Sequence, residues 1–423
     1  MTRTTINPTS ISSLFKNIKK ILVIKLRHIG DVLLTVPTIR ALKETFPDAG
    51  VSVLVNPGTE DVLSGNALID ELIALDRAVK NLPIIKRYIE EAMFLKKIRA
   101  KGFDMTVDLT GGDRAAVLSF LSGARYRLAA DFGRKGFIGK KYLYTHLANI
   151  DRQKHMVLQN LDVVRNFGIT TDNTDVDFFI PEEAKMFVRR IFEENNLSKS
   201  NNPPSPPFAK GGDTPLTPLN RGDLNPPLKK GDEGGFPDKI IHVHPTSRWL
   251  FKCWKDEYMA EIIGWLLDNG MKVVLTSAPD SKEMEKAKRI LSLVGDSPSR
   301  SIGMGQSLLP SLSLVSSRVL DLCGKTTIKE LAAISDASDL FIGVDSAPMH
   351  IAAAVGTPVI ALFGPTGKEW MPYGLGNIVI SKDMPCKPCK KGMCEGIELR
   401  DCMVAIKLDD VKEAVNKILK EAL

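Results

Sequence analysis

No run of about 20 apolar residues occurs anywhere in the 423-residue chain, so no transmembrane helix is expected. The opening stretch, MTRTTINPTSISSLFKNIKK, is polar and basic and lacks an apolar h-region, so no secretory signal is expected. Cysteine is scarce, at six residues, and a chain of this length with 43% hydrophobic residues fills a core without disulfide staples. The cytoplasm is therefore the expected compartment. Aromatic residues make up only 6%, and the basic stretches lack interleaved stacking rings, which argues against a nucleic-acid partner.

Positive charge is present in mild excess, at a net +7, and it is concentrated in the first half. Lys80, Lys86, Arg87, Lys96, Lys97, Arg99 and Lys101 crowd one stretch. Arg125, Arg127, Arg134, Lys135, Lys140 and Lys141 crowd another. Two readings stand: solvated faces, or attraction to an anionic surface or ligand.

The length suggests about two or three domains of ~150 residues each. Short apolar runs alternate with helical patterns: KILVIKL ending at Leu26, VSVLV at 51–55, DELIALD from Asp70, FDMTVDL from Phe103 and RYRLA from Arg125. A helical pattern runs from Val32 to Phe46, with Pro37 expected to kink it or shift its start. The texture changes near Ser198, and the stretch from Pro203 to Pro237 holds nine of the 25 prolines. Such a segment cannot bury a core and reads as a linker. The alternation then restarts with KIIHVH from Lys239, MKVVLTS from Met271, RVLDLCG from Arg318, DLFIGVD from Asp339 and TPVIALFG from Thr357. Strands alternating with helices predict parallel α/β sheets. The expected divisions are a basic tail at 1–19, a Rossmann-like domain at 20–197, a Pro/Gly-rich linker at 198–238, a second Rossmann-like domain at 239–405 and an amphipathic helix at 406–423.

Four places carry candidate chemistry. In KLRHIGDVLLTVP, Gly30 allows close backbone approach at a strand–helix turn, and Asp31 opens the next helix, either as a cap or as a general base. This turn has one glycine and no G-x-G-x-x-G fingerprint. In HPTSRWLFKCW, Thr246 and Ser247 offer hydroxyls after a strand, and Arg248 and Lys252 offer charge suited to a pyrophosphate; the alternative is a loop anchored by Trp249 and Trp254. In GVDSAPMHIAAAVG, Asp345 ends a strand, Ser346 is placed to cap a helix stopping at Gly356, and Pro348 falls in its first turn. Ser346 and His350 share one helix face, and a helix start at a strand end suits a phosphate. The plain alternative is capping by Asp345 and Ser346 with His350 in the core. Finally, Cys386, Cys389, Cys394 and Cys402 offer four thiols but only one CxxC knuckle, leaving zinc, packing cysteines and a labile disulfide open.

The stretches VIKLRHIGDVLLTVPTIRALKETFP, HPTSRWLFKCW and GVDSAPMHIAAAVGTPVIALFGPT together resemble the bacterial lipopolysaccharide heptosyltransferases, and the type III enzymes of the inner core in particular. The resemblance spans roughly 20–195 and 239–405, in order. It implies a GT-B fold, α/β with two Rossmann-like domains facing across a cleft. It implies an ADP-heptose donor held mainly by the second domain, a lipid A–core acceptor held by the first, peripheral contact with the cytoplasmic face of the inner membrane, inversion at the anomeric carbon, and neither cofactor nor catalytic metal. Asp31 matches the family's general base, Thr246 and Ser247 its donor-binding hydroxyls, and Lys252 its phosphate-binding lysine. Asp345, Ser346, Ala347 and His350 match its donor-sugar stretch. Two positions depart from the pattern: Ser346–Ala347 stands where some members have Thr-Gly, and APDSKE after the VVLTS strand offers no counterpart to a ribose-binding Glu. The same fold also serves other nucleotide sugars and acceptors, and nucleotide-sugar epimerases share its architecture.

Overall fold

The structure is a computed structural model that describes residues 14–74, 83–131, 133, 136–197, 236–295, 319–386, 389, 394 and 401–421. Most of the N-terminal tail and of the Pro-rich stretch, together with Lys80, Arg134, Lys135 and Arg318, lie outside the described residues. Two compact units divide the chain, Met1–Phe179 and Ile180–Leu423.

The first unit is built on six parallel strands: β1 (Lys20–Lys25), β2 (Gly50–Val55), β3 (Glu71–Ala74), β4 (Met105–Asp108), β5 (Tyr126–Ala130) and β6 (His146–Ala148). Their order is β3-β2-β1-β4-β5-β6, and every neighbouring pair is parallel. Central β1 is flanked on both edges, so its apolar run is buried without alternation, as a strand covered on both faces must be. The expected helix from Val32 is two helices: α1 (Ile29–Leu33) and α2 (Val36–Thr45). Pro37 lies in the first turn of α2, where its missing N–H costs nothing, so the chain breaks before the proline instead of kinking at it. Then follow α3 (Ile84–Ala100), α4 (Asp113–Leu121) and α5 (Met156–Arg165).

The second unit repeats the plan with β7 (Ile240–His244), β8 (Lys272–Leu275), β9 (Val319–Asp321), β10 (Leu340–Val344), β11 (Val359–Phe363) and β12 (Ile378–Ser381). The order β12-β11-β10-β7-β8-β9 is the same doubly wound order, again all parallel. Its helices include α6 (Glu182–Glu194), α7 (Asp256–Asp268), α8 (Ser281–Gly295), α9 (Ile328–Ala337), α10 (Ala347–Ala354), α11 (Asp401–Val404) and α12 (Leu408–Glu421). Thr327 caps α9 through a reciprocal box with Glu330, accepting from its N–H at 3.2 Å and donating its own to the carboxylate at 2.7 Å. Helix α12 buries Val411, Ala414, Val415, Ile418 and Leu419, the apolar face its spacing predicts.

One boundary moves. Helix α6 precedes the Pro-rich stretch and was expected within 20–197, yet Ala184, Val188 and Phe192 pack with Ile240, Val274 and Ile334 of the second unit. Its apolar stripe needs a partner, and β7, β8 and α9 supply it, so the first unit ends at Phe179. Among the described residues, no helix is long and apolar enough to cross a membrane.

Candidate active site

In a doubly wound sheet the crevice lies at the carboxyl ends of the two strands where winding reverses. Those strands are β1 and β4 in the first unit and β7 and β10 in the second. All three non-cysteine candidate stretches fall at these ends.

In the second unit, β10 delivers Asp345 and β7 delivers the loop from Pro245 to Lys252. The two strands run close: a Cβ on Gly343 would lie 3.0 Å from the carbonyl oxygen of His244 and 2.6 Å from the Phe341 ring. Lys252, in the 3-10 turn Leu250–Lys252, donates through Nζ to Asp345 Oδ2 at 2.7 Å. The carboxylate is nearly buried and the lysine mostly so. Thr366, after β11, also donates to Asp345 Oδ2. The structure therefore joins two stretches 93 residues apart into one charged pair across the switch point.

The neighbouring hydroxyls are less open than the sequence suggests. Thr246 is fully buried and donates to Glu283 Oε2 at 2.7 Å. Burial raises the pKa of Glu283, and the Thr246 hydrogen bond opposes that shift. Glu283 lies in the APDSKE stretch read as having no acidic counterpart, so one carboxylate does reach this site from α8. Ser247 is buried and its Oγ accepts from the Trp249 N–H at 3.4 Å. Arg248 is exposed and its guanidinium lies 5.8 Å from the Trp249 ring. The two tryptophans separate: Trp254 is a core anchor donating from Nε1 to Ile406 O at 3.2 Å, whereas Trp249 is half exposed.

Helix α10 begins as expected, with Ser346 at its cap position and Pro348 in its first turn. The Ser346 hydroxyl does not cap; it donates to Val344 O at 3.3 Å, leaving the first N–H groups of the helix without that side chain. Ala347 opens the helix and His350 is buried on it.

Under this loop lies a network the sequence did not reveal. His242 Nε2 and His244 Nδ1 each sit 2.8 Å from Thr276 Oγ1, and His242 Nδ1 sits 2.8 Å from Ser335 Oγ. Burial lowers the pKa of both rings, His244 to about 3, so both are neutral at pH 7.

In the first unit, Asp31 lies half-buried in the first turn of α1, with Gly30 buried beside it. Lys25, the last residue of β1, is buried, and its Nζ donates to Leu109 O at 2.9 Å and Asn160 Oδ1 at 3.0 Å. Asn160 in turn donates to Leu34 O at 3.0 Å, just past α1. Burial pulls the Lys25 pKa down to about 8, and Asp31 is the largest charge acting against that shift. Beside it, buried Asp108 accepts the Tyr144 hydroxyl at 2.5 Å and the N–H groups of Thr110 and Gly111. A lysine ending an apolar central strand was the available signal for this cluster.

Among the described residues, no group of three or more His, Cys, Asp or Glu side chains gathers as ligands. Cys402 is in the core on α11, beside Met403, whereas Cys386 is exposed. Packing, one of the open readings, describes Cys402.

Two doubly wound parallel units, each with its own switch point, make an α/β fold of the GT-B-like class. The chain belongs to glycosyltransferase family 9 (heptosyltransferase), whose model matches residues 92–397. Among curated relatives, lipopolysaccharide heptosyltransferase 3 of Escherichia coli K12 is 31% identical over 82% of this chain and 83% of that one. Lipopolysaccharide heptosyltransferase 1 of Pseudomonas aeruginosa is 24% identical over 89% of this chain and 87% of that one. Among solved structures, a family 9 glycosyltransferase from Veillonella parvula superposes with a TM-score of 0.67 at 21% identity, covering 95% of this chain and 97% of that one. The E. coli ADP-heptose LPS heptosyltransferase II gives 0.65 at 19% identity, covering 95% and 99%.

Proposed function

We propose that this enzyme transfers a heptose from ADP-L-glycero-D-manno-heptose to a hydroxyl of the lipopolysaccharide inner core, with inversion and without a metal. The observation that carries the reading is the Lys252–Asp345 pair at the second unit's switch point, in a chain whose relatives are named as heptosyltransferases.

Lys252 turns from Asp345 toward the donor diphosphate, and the N–H groups opening α10 join it, since a helix start and a lysine both favour phosphate. Asp345, released from that bond, accepts sugar hydroxyls. Thr246 and Ser247 shape the loop, with Glu283 holding the Thr246 hydroxyl in place. Arg248 supplies further positive charge near the leaving group. Asp31 takes the proton of the acceptor hydroxyl, whose oxygen attacks the anomeric carbon. The bond from that carbon to the β-phosphate oxygen breaks, and ADP leaves with the electron pair. Lys252 and the helix start hold the charge that develops on the diphosphate. The acceptor is carried on lipid A at the cytoplasmic face of the inner membrane.

The test is turnover of purified protein with ADP-heptose and heptose-deficient core. Asp31→Asn is expected to lose about 10²–10⁴-fold in kcat with donor affinity kept. Full kcat in that variant refutes the base assignment. A melting-temperature rise with a different nucleotide sugar and none with ADP-heptose refutes the donor. Interconversion of free nucleotide sugars without acceptor makes the chain an epimerase instead.

A further inference from the structure

Helix α3 is longer than its contact with the core. Phe94, Leu95 and Ile98 in its second half pack against the sheet cluster that includes Leu22, Leu54 and Phe103. Its first half carries Ile84, Ile85, Tyr88, Ile89 and Met93, at the i, i+1, i+4, i+5, i+9 spacing of one apolar helix face. That face is turned to solvent: Ile84 is 73% exposed, Ile85 75% and Tyr88 68%. A helix held only by the core would place polar residues there.

A second apolar element stands at the same end of the unit. The loop after β5 carries Phe137, partly exposed, and Ile138, fully exposed at 103%. Both elements adjoin the start of α4. Arg114 reaches Glu91 of α3 at 3.5 Å, and Lys140 reaches Asp113 at 3.3 Å. All strands here are parallel, so the segments following β3, β4 and β5 emerge at one edge, the carboxyl edge, where Asp31 also lies.

Basic residues border these apolar groups. Lys86 and Arg87 lie on the exposed half of α3, where Glu90 and Glu91 also stand and Glu91 meets Arg87 at 3.7 Å, while Lys96, Lys97, Arg99 and Lys101 lie along its core-held half and Lys140 and Lys141 beside the loop. Lys86 and Arg87 flank the exposed face, and Lys141 stands 5.1 Å from the exposed Tyr142 ring. An apolar stripe bordered by cations matches the interface of an anionic bilayer, where rings and aliphatic groups enter the headgroup region and lysines meet phosphates. A symmetric contact with a second copy would instead set one basic rim against another.

We propose that the exposed half of α3 and the Phe137–Ile138 loop form a docking surface for an anionic lipid bilayer. This deepens the transfer reading by naming the surface that would bring the carboxyl edge of the first unit to a lipid-borne acceptor, and it predicts lipid binding without donor or acceptor present.

The test is co-sedimentation of the full chain with phosphatidylcholine vesicles, with and without phosphatidylglycerol. Wild type is expected to bind the anionic vesicles in a salt-sensitive way and the neutral ones weakly. The I84S/I85S/I138S variant is expected to bind about tenfold or more weakly, and K86E/R87E to lose the preference for phosphatidylglycerol. Unchanged far-ultraviolet circular dichroism and melting temperature exclude misfolding in these surface variants. No binding by wild type, or full binding by the I84S/I85S/I138S variant, overturns the proposal. So does a wild-type dimer in solution that the apolar substitutions dissolve, which makes the face a protein interface. Transfer to a delipidated, water-soluble core oligosaccharide should be unchanged in the variants. If wild type transfers to neither acceptor, the transfer reading fails while the vesicle result still decides this one.

Discussion

Acidification should weaken the second unit, and two histidines set the size of the effect. His242 and His244 share Thr276 Oγ1, and that hydroxyl has one proton, so at least one ring must donate to it. Protonating either ring adds a buried charge beside a buried neighbour. Burial is the first cause of both depressed pKa values, and His244 falls to about 3. In the unfolded chain each ring titrates near ~6.5. As pH falls through that value the unfolded state takes up protons that the folded state refuses, so stability drops. At about pH 5.5 the loss is on the order of 1 kcal/mol per ring, or about 2–3 kcal/mol for the pair. Glu283 acts in the opposite sense, because a raised carboxylate pKa favours the folded state as pH falls, so the slope should flatten at the acid end.

All four tryptophans lie in the second unit, so tryptophan fluorescence follows its unfolding alone. The unfolding free energy extrapolated from urea titrations should fall by that amount between pH 7.5 and 5.5 in wild type. The His242→Gln/His244→Gln variant, whatever its absolute stability, should lose most of the slope. An equal slope in both proteins refutes the reasoning, since the histidines would then not be buried neutral.

Two further outcomes are expected. Lys252→Met should weaken ADP binding by about 10- to 100-fold in calorimetry, the value of a charge-assisted contact to phosphate; unchanged affinity would remove Lys252 from the donor site. Lys25 should contribute a gain of about 2–3 kcal/mol in first-unit stability between pH 7 and 10, because it binds its proton more weakly when folded than unfolded; buried Tyr144, Cys253 and Cys323, with raised pKa values, act in the opposite sense over that range, so the check is the difference in pH slope between wild type and Lys25→Met, and equal slopes refute the assignment.

Ten of the twelve strands among the described residues were legible as apolar runs, because central parallel strands are buried on both faces and need no alternation. The two missed strands, β6 and β12, are each the outermost of their sheet and only three and four residues long. That Asp31, Lys252 and Asp345 follow the carboxyl ends of strands was legible because each sits on a strand-to-helix connection. What the local sequence could not carry was pairing. Nothing near Lys252 indicates that Asp345 receives its proton donor, and nothing in KIIHVH indicates that both histidines bond one threonine just past the adjacent strand. Glu283 was hidden differently: it looks like one charge among several on an amphipathic helix, and only the packing of α8 turns it inward. The first-unit boundary was misplaced because α6 is contiguous in sequence with one unit and apolar toward the other.

The repetition of one topology with different switch-point chemistry explains how the labour divides. Each unit ends its first strand at a crevice, yet β1 ends on a lysine and β7 on a histidine. Lys25 is tied inward by Leu109 O and Asn160, so its charge is not offered to a ligand; it supports the turn bearing Asp31 and keeps a positive charge beneath that carboxylate. His244 is neutral and contributes no charge, so the positive charge at the second crevice comes from the loop beyond it, from Arg248 and from Lys252, which, among the described residues, is ion-paired to Asp345. A lysine held by one carboxylate can exchange that partner for a diphosphate, because one anion replaces another without leaving a bare buried cation. A lysine held by a carbonyl and an amide cannot make that exchange without orphaning both. On the proposed transfer reading, the first unit would keep the Asp31 carboxylate in place, and the second would release the Lys252 cation when an anion arrives.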